Sequence, residues 1–153
     1  MKTLVIFYSR TGNTRKVADE IAKVFGCDTE ELADTKKRAG ILHYLSSGRD
    51  AQKEMLTTLV EPKNDPSKYD LVVIGTPVWA SKMSVPVRAY LHLKKDSFKK
   101  VAFFYTAGSQ NDKIFPDMSK VCGKTPVATL GLSAAEIRKG DSAQKIKEFL
   151  EKL

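Results

Sequence analysis

The segment SRTGNT, residues 9–14, stands between an apolar run and a helical pattern, and it is rich in groups that bind anions. Five of its six residues are of this kind: Ser9, Thr11, Gly12, Asn13 and Thr14. A helix start presents unpaired N–H groups and the positive end of its dipole, which together attract a phosphate. Such residues also cap ordinary turns. Because capping alone requires fewer of them, the segment predicts a phosphate-binding loop.

Other phosphate-binding motifs are absent from this part of the sequence. No GxxxxGK[ST] run occurs, and a single glycine follows the first apolar run, which excludes the Walker A loop and the dinucleotide fingerprint. The loop has no cysteine for a cysteine phosphatase. A phospho-receiver domain would need acidic residues where this chain has Ser9 and Thr76.

Two further segments follow apolar runs: TPVWASKM, residues 76–83, and TAGSQND, residues 106–112. The first holds the only tryptophan, Trp79, which could stack on a flat ring beside a phosphate site or pack on a neighbouring helix. In the second, Gly108 would let a ring lie against bare backbone, and Thr106 could donate to its edge. Beside the phosphate loop, stacking is the favoured interpretation for Trp79.

The elements that position these segments follow from hydrophobic patterns. Continuous apolar runs predict strands at 3–8, 70–75, 101–105 and 127–132, and a weaker signal predicts one at 28–32. Helical spacing predicts helices at 17–25, 84–94 and 113–121, and a long or broken helix that crosses Gly48. We expect Ser84 to cap the second of these, with Pro86 in its first turn. Asp141 and Gln144 resemble a capping box that opens a final helix.

Strands that alternate with helices predict an α/β fold, with a five-stranded parallel sheet covered on both faces. We expect one domain over residues 1–153 and the strand order 2-1-3-4-5. Ligands bind beyond the carboxyl ends of such strands, where the winding reverses. The three polar segments leave strands 1, 3 and 4, so they should meet at that place.

Composition narrows the function classes. The net charge is +8, but the lysine clusters, such as 36–38, are not interleaved with aromatics as a nucleic-acid surface would be. No apolar run approaches the roughly 20 residues that cross a bilayer, and no cleavage site follows the first run, so we expect a cytoplasmic protein without membrane contact. Cys27 and Cys122 are expected as small buried or half-buried thiols, without a disulfide or metal. His43 and His92 are expected at the surface.

The three segments together resemble those of the flavodoxin family, and the resemblance covers essentially the whole chain. SRTGNT is similar to the family's phosphate loop, with GTPVW and TAG in register. The resemblance implies a flavodoxin-like three-layer sandwich of the short-chain branch that holds FMN tightly but non-covalently. It places the phosphate on residues 9–14 and the isoalloxazine between loops 76–82 and 106–112.

The residues that the resemblance assigns to the cofactor are Ser9, Arg10, Thr11, Gly12, Asn13, Thr14, Thr76, Pro77, Val78, Trp79, Ala80, Ser81, Lys82, Thr106, Ala107, Gly108 and Asp112. No catalytic side chain or metal is expected, because the flavin carries the chemistry. We expect a flavodoxin that shuttles low-potential electrons between a reductase and acceptor enzymes, as a monomer or weak dimer. Two alternatives stay open: an FMN-dependent NAD(P)H:quinone-type oxidoreductase, and a flavin-free module that binds an anionic partner.

Two departures from the family pattern carry expectations of their own. Flavodoxins are typically acidic, so a chain of charge +8 needs acidic redox partners or a different role. Ala80 stands where many members have a glycine whose peptide flips on reduction, and a positive φ is costly for alanine. We therefore expect weak stabilisation of the one-electron-reduced flavin. Lys82 could place positive charge near the ring, whereas for Arg10 a solvated side chain is the favoured interpretation.

Overall fold

The computed structural model describes residues 1–35 and 41–153, without the side chains of residues 41–44. The lysine cluster at 36–38 and the side chain of His43 lie outside the described residues. The strands are β1 Thr3–Phe7, β2 Asp28–Glu31, β3 Leu71–Trp79, β4 Lys82–Met83, β5 Lys100–Ala107 and β6 Thr129–Ser133. The helices are α1 Asn13–Phe25, α2 Ile41–Gln52, α3 Val85–Lys94, α4 Ile114–Cys122, α5 Ala134–Lys139 and α6 Ser142–Leu150.

Five strands form a parallel sheet in the order β2-β1-β3-β5-β6, which confirms the predicted order 2-1-3-4-5. The additional strand, β4, pairs antiparallel with the end of β3 and was not predicted. Phe7 lies beside Gly75, and Gly75 lies beside Phe104, so β1, β3 and β5 are adjacent. A Cβ at Gly75 would lie 2.0 Å from the Phe104 ring, so only glycine fits there. Because these strands are parallel, the three polar segments lie together at the carboxyl end of the sheet.

Helices cover both faces of the sheet. Side chains of a strand alternate between these two faces, so each strand contributes to two separate hydrophobic cores. In β1, Leu4 and Ile6 pack into a core with residues of α3 and α4, whereas Val5 and Phe7 pack into a core with residues of α1 and α6. The three-layer sandwich expected from the sequence is therefore confirmed.

Several local predictions were wrong in detail. α2 continues through Gly48, as predicted, but it ends at Gln52, and Glu54 beyond it has a φ of +54°. The apolar residues Met55 and Leu56 therefore lie outside the helix and are exposed. Asp141 makes no capping hydrogen bond. The capping box is instead formed by Ser133 and Glu136, and it opens the unpredicted α5.

Other expectations were met. Ser84 occupies the N-cap position of α3, with Pro86 in the first turn, but it makes no capping hydrogen bond, because its hydroxyl accepts from Thr76 Oγ1 over 3.1 Å. Cys122 is buried, Cys27 is half-buried and His92 is exposed.

Candidate functional site

The start of α1 is shaped to receive an anion. Gly12 takes a φ of +102°, and its N–H donates to Ser9 Oγ over 3.1 Å, which closes the turn that leads into the helix. Its N-cap residue, Gly12, makes no side-chain cap, and its first turn contains no acidic residue. The positive end of the α1 dipole therefore faces the loop without a capping side chain from the N-cap position. This donor set fits a phosphate group.

The Thr14 hydroxyl connects the first and third polar segments. Thr14 Oγ1 and Thr106 Oγ1 are 2.8 Å apart, and both residues are buried. Thr76 in the second segment behaves differently. It is fully buried and accepts from the Ser84 N–H over 3.0 Å, so its hydroxyl fixes the start of α3 and is not directed at the other two segments.

A cleft of about 160 Å³ brings residues of all three segments together, and we call it the phosphate cleft. Its lining is Arg10, Thr11, Asn13, Thr14, Pro77, Val78, Trp79, Thr106, Ala107, Gly108 and Ala134. Ala134, at the start of α5, was not predicted. Drug-sized ligands occupy pockets of roughly 300–1,000 Å³, so this cleft suits the phosphate end of a ligand and not the whole of FMN.

A second cleft, of about 780 Å³, lies where the resemblance implies a ring, between the end of β3–β4 and the loop after β5. We call it the hairpin cleft, and its lining is Ser81, Lys82, residues 109–114 and Asp117. The predicted residues Ser81, Lys82 and Asp112 therefore share one cleft. Its volume is in the range of small-molecule sites.

The hairpin between β3 and β4 turns on Ala80 and Ser81, which have φ values of +48° and +65°. A two-residue hairpin loop with positive φ at both positions is the type I′ pattern. The sequence argument treated a positive φ at Ala80 as costly, and the structure places the residue there nonetheless, because the pairing of β3 with β4 imposes it. Lys82 follows the turn and pairs with Glu54 over 3.3 Å.

Trp79 is packed inside the fold and is only 3% exposed. The Tyr8 ring meets it edge-on at 5.4 Å, and the Arg10 guanidinium lies 5.1 Å from its ring centre. Arg10 therefore contacts the indole, contrary to the favoured solvated interpretation. Among the described residues Trp79 lines the phosphate cleft and a third cleft of about 340 Å³ beside α2, but not the hairpin cleft. Stacking of Trp79 on a ring stays a prediction.

The sequence analysis did not predict a role for Tyr105, whose buried hydroxyl forms hydrogen bonds with the third segment. Its hydroxyl donates to Asp112 Oδ1 over 2.7 Å and accepts from the Asn111 N–H over 2.8 Å. Burial raises the pKa of Tyr105 to about 12, so the hydroxyl keeps its proton near neutral pH. In the sequence, this tyrosine cannot be distinguished from the other core aromatics of its strand.

Other features of the described chain carry less chemistry. A cleft of about 820 Å³ lies between α1 and α6 and includes none of the predicted site residues in its described lining. In the described ranges, histidines, cysteines and carboxylates form no cluster of three that could hold a metal. No helix within residues 1–35 and 41–153 has the length and apolarity to cross a membrane.

Comparisons with known proteins agree with this geometry. A family model described as "Flavodoxin domain" matches residues 4–153, while no curated protein sequence gives a significant match. A flavoprotein from Lactobacillus acidophilus NCFM, solved in complex with FMN, is 25% identical with a TM-score of 0.71, over 90% of this chain and 97% of that chain.

Two further solved structures share the fold at lower identity. A Bacteroides uniformis ATCC 8492 protein described as a flavoprotein has a TM-score of 0.73 and 20% identity, over 98% of this chain and 97% of that chain. An NADH:FMN oxidoreductase in its apo form has a TM-score of 0.62 and 15% identity, over 99% of this chain and 87% of that chain. At these identities the likeness concerns the fold alone.

Proposed function

Because the chain belongs to the flavodoxin domain family, we propose that it binds FMN non-covalently and carries electrons between redox proteins in the cytoplasm. The observation that carries the proposal is the phosphate cleft, where an uncapped helix start meets side chains of all three polar segments. The FMN complex of the Lactobacillus acidophilus relative supports the choice of cofactor.

The phosphate of FMN would be held by the first N–H groups of α1 and by polar side chains of the loop, those of Ser9, Thr11, Asn13 and Thr14. Each charge-assisted hydrogen bond of this kind contributes about 1.5–3 kcal/mol. The ring would lie toward the hairpin cleft, which the exposed Ser81 lines, and beside the exposed Gly108 of the phosphate cleft. When bound, FMN supplies the redox chemistry, and the protein supplies binding, shielding and local charge.

Electron carriage is favoured by the openness of this arrangement. The hairpin and the loop after β5 leave the predicted ring position at the protein surface, where a second protein can approach it. Arg10, Arg49 and Lys82 line the three clefts, and the whole chain carries +8. We therefore propose acidic redox partners, because complementary charge guides such encounters.

A second candidate function is an FMN-dependent NAD(P)H:quinone-type oxidoreductase. The hairpin cleft favours it, since its volume of about 780 Å³ and its lysines, Lys82 and Lys113, could admit a nicotinamide dinucleotide beside the ring. An oxidoreductase oxidises NAD(P)H by itself, whereas a carrier requires a separate reductase.

The deciding experiment is FMN titration of purified apoprotein, followed by NADH and NADPH addition under anaerobic conditions. We expect flavin fluorescence to be quenched by binding and the flavin to stay oxidised until a reductase is added. Failure to bind FMN would refute the proposal as a whole. Rapid bleaching by a nicotinamide nucleotide alone would instead establish the second candidate.

A further inference from the structure

The loop that leads from β5 to α4 is held from inside the protein by one phenol. Tyr105 donates to Asp112 Oδ1 over 2.7 Å and accepts from the Asn111 N–H over 2.8 Å, so both ends of its hydroxyl are used. Gln110 Nε2 donates to the other oxygen, Asp112 Oδ2, over 2.7 Å. The Asp112 carboxylate therefore has a donor on each oxygen while it lines the hairpin cleft.

The position of the Tyr105 ring is itself fixed by packing. The ring is 1% exposed and lies 5.2 Å from the Phe115 ring. On its other side, a Cβ at Gly131 would lie 2.5 Å from the Tyr105 hydroxyl oxygen. Glycine in β6 therefore leaves the space through which the phenol reaches the loop. A hydroxyl held this rigidly can impose its geometry on the loop backbone.

Besides the Tyr105 hydroxyl, the loop is held where it joins α4, since the N–H groups of Ile114 and Phe115 donate to two of its carbonyls. Its first part, residues 108–110, is exposed. A loop that must be ordered when a ligand binds lowers the affinity, because its conformational entropy is lost at that moment. An anchor that orders the loop beforehand removes this loss.

We propose that Tyr105 is a positioning residue for the flavin ring. Its hydroxyl holds Asn111 and Asp112, so the loop already forms one wall of the hairpin cleft before the ligand binds. The inference rests on the proposed function. It assigns to Tyr105 an effect on the ring end of the ligand and none on the phosphate end.

The test compares FMN with riboflavin, which carries the same ring without the phosphate. Tyr105→Phe keeps the packed ring and removes both loop hydrogen bonds, so we expect about tenfold weaker binding of both ligands. The ratio of their two Kd values should stay unchanged, because that ratio reports the phosphate end alone. Tyr90→Phe is the matched control, since Tyr90 is fully buried in α3 and its hydroxyl has no hydrogen-bond partner among the described residues.

A double-mutant cycle with Asp112→Ala tests whether the two residues act as a unit. Asp112 is exposed, so this variant should fold even if Tyr105→Phe does not. We expect the riboflavin Kd of the double variant to be no higher than the higher of the two single-variant Kd values. Additive losses would refute a shared role, and so would an unchanged riboflavin Kd in either single variant or a loss confined to FMN. If the unmodified protein binds neither flavin, the proposed function itself fails and the inference fails with it.

Discussion

At the scale of single residues, the buried hydroxyl pair of Thr14 and Thr106 joins the start of α1 to the end of β5. Thr14 is the second residue of α1, and its O–H group can also rotate toward a bound phosphate without a change of the χ1 rotamer. The pair therefore links the proposed phosphate end of the site to the loop at its proposed ring end.

Thr14→Val tests the phosphate assignment with a side chain of the same shape. The variant removes one donor to an anion, so FMN should bind about tenfold more weakly while riboflavin changes far less. Fluorescence titration with the two flavins measures both effects. Thr3→Val is the control, because Thr3 is buried in β1 and its hydroxyl has no hydrogen-bond partner in the described residues. Equal losses for both flavins would contradict a phosphate contact by Thr14.

At the scale of elements, the β3–β4 hairpin determines which backbone conformations its turn can adopt. Flipping the central peptide of a type I′ turn produces a type II′ turn, which favours glycine at the first central position. That position is Ala80 here. Because alanine and not glycine stands at this position, the hairpin opposes the peptide flip. This supports the expectation that the one-electron-reduced flavin is poorly stabilised.

Ala80→Gly should increase the amount of one-electron-reduced flavin during stepwise dithionite reduction of the FMN-loaded protein, because the flip becomes accessible. Visible spectra of the long-wavelength radical band measure it. Ser81→Gly is a close control, since it relaxes the second position, where a type II′ turn does not require glycine. A high radical yield in the unmodified protein would refute this view of the turn.

The start of α5 shows how a cap can depend on pH. Ser133 and Glu136 bond reciprocally, and Lys145 also pairs with the Glu136 carboxylate over 2.5 Å. The hydrogen bond from Lys145, with that of the Ser133 backbone, lowers the pKa of Glu136 from 4.5 to about 2. Since the folded pKa is the lower one, this contribution to stability is complete above about pH 4.5 and is lost as the pH falls toward 2.

Glu136→Gln should lower the free energy of unfolding by about 1 kcal/mol at pH 7, because the amide keeps the cap geometry but loses the charge. The difference from the unmodified protein should shrink as the pH falls from about 4.5 toward about 2. Urea unfolding at a series of pH values measures it. Glu148→Gln, on the exposed side of α6, should leave stability nearly unchanged throughout. A difference that stayed constant with pH would contradict the charge effect.

At the scale of the whole molecule, the charge of +8 should guide encounters with the acidic redox partners proposed above. The cleft rims carry both signs, since Glu54 pairs with Lys82, and Asp117 pairs with the buried Arg88 over 2.5 Å. These pairs neutralise part of the local charge, and Arg10 and Arg49 line the neighbouring cleft, where Arg49 lies 3.9 Å from Asp50. The net field that a partner meets should be positive.

Small oxidants of opposite charge can measure this field. The protein that carries reduced FMN should be oxidised more slowly by anionic ferricyanide as the ionic strength rises, because salt screens the attraction. Oxidation by cationic hexaammineruthenium should become faster, because salt screens the repulsion. Stopped-flow measurements at several salt concentrations give both slopes. Slopes of the opposite signs would exclude acidic partners as the favoured class.

The local sequence was sufficient for the five parallel strands, their order and the three polar segments. Each apolar run and each helical period reflects interactions among near neighbours in the chain, and the topology of such units has few solutions. SRTGNT was recognisable for the same reason, because a helix start and its anion-binding groups are contiguous. The S-x-x-E signal of the α5 capping box, Ser133 and Glu136, is also present in the sequence, although the prediction placed the capping box at Asp141.

Only the tertiary structure decided how distant residues share the site. The bond between Thr14 and Thr106 joins positions 92 apart in sequence, and the reach of Tyr105 depends on a glycine in another strand. The burial of Trp79 under Arg10 and the positive φ of Ala80 likewise follow from packing and strand pairing. Such features depend on which side chains meet across the fold, and a local pattern carries no information about partners so far along the chain.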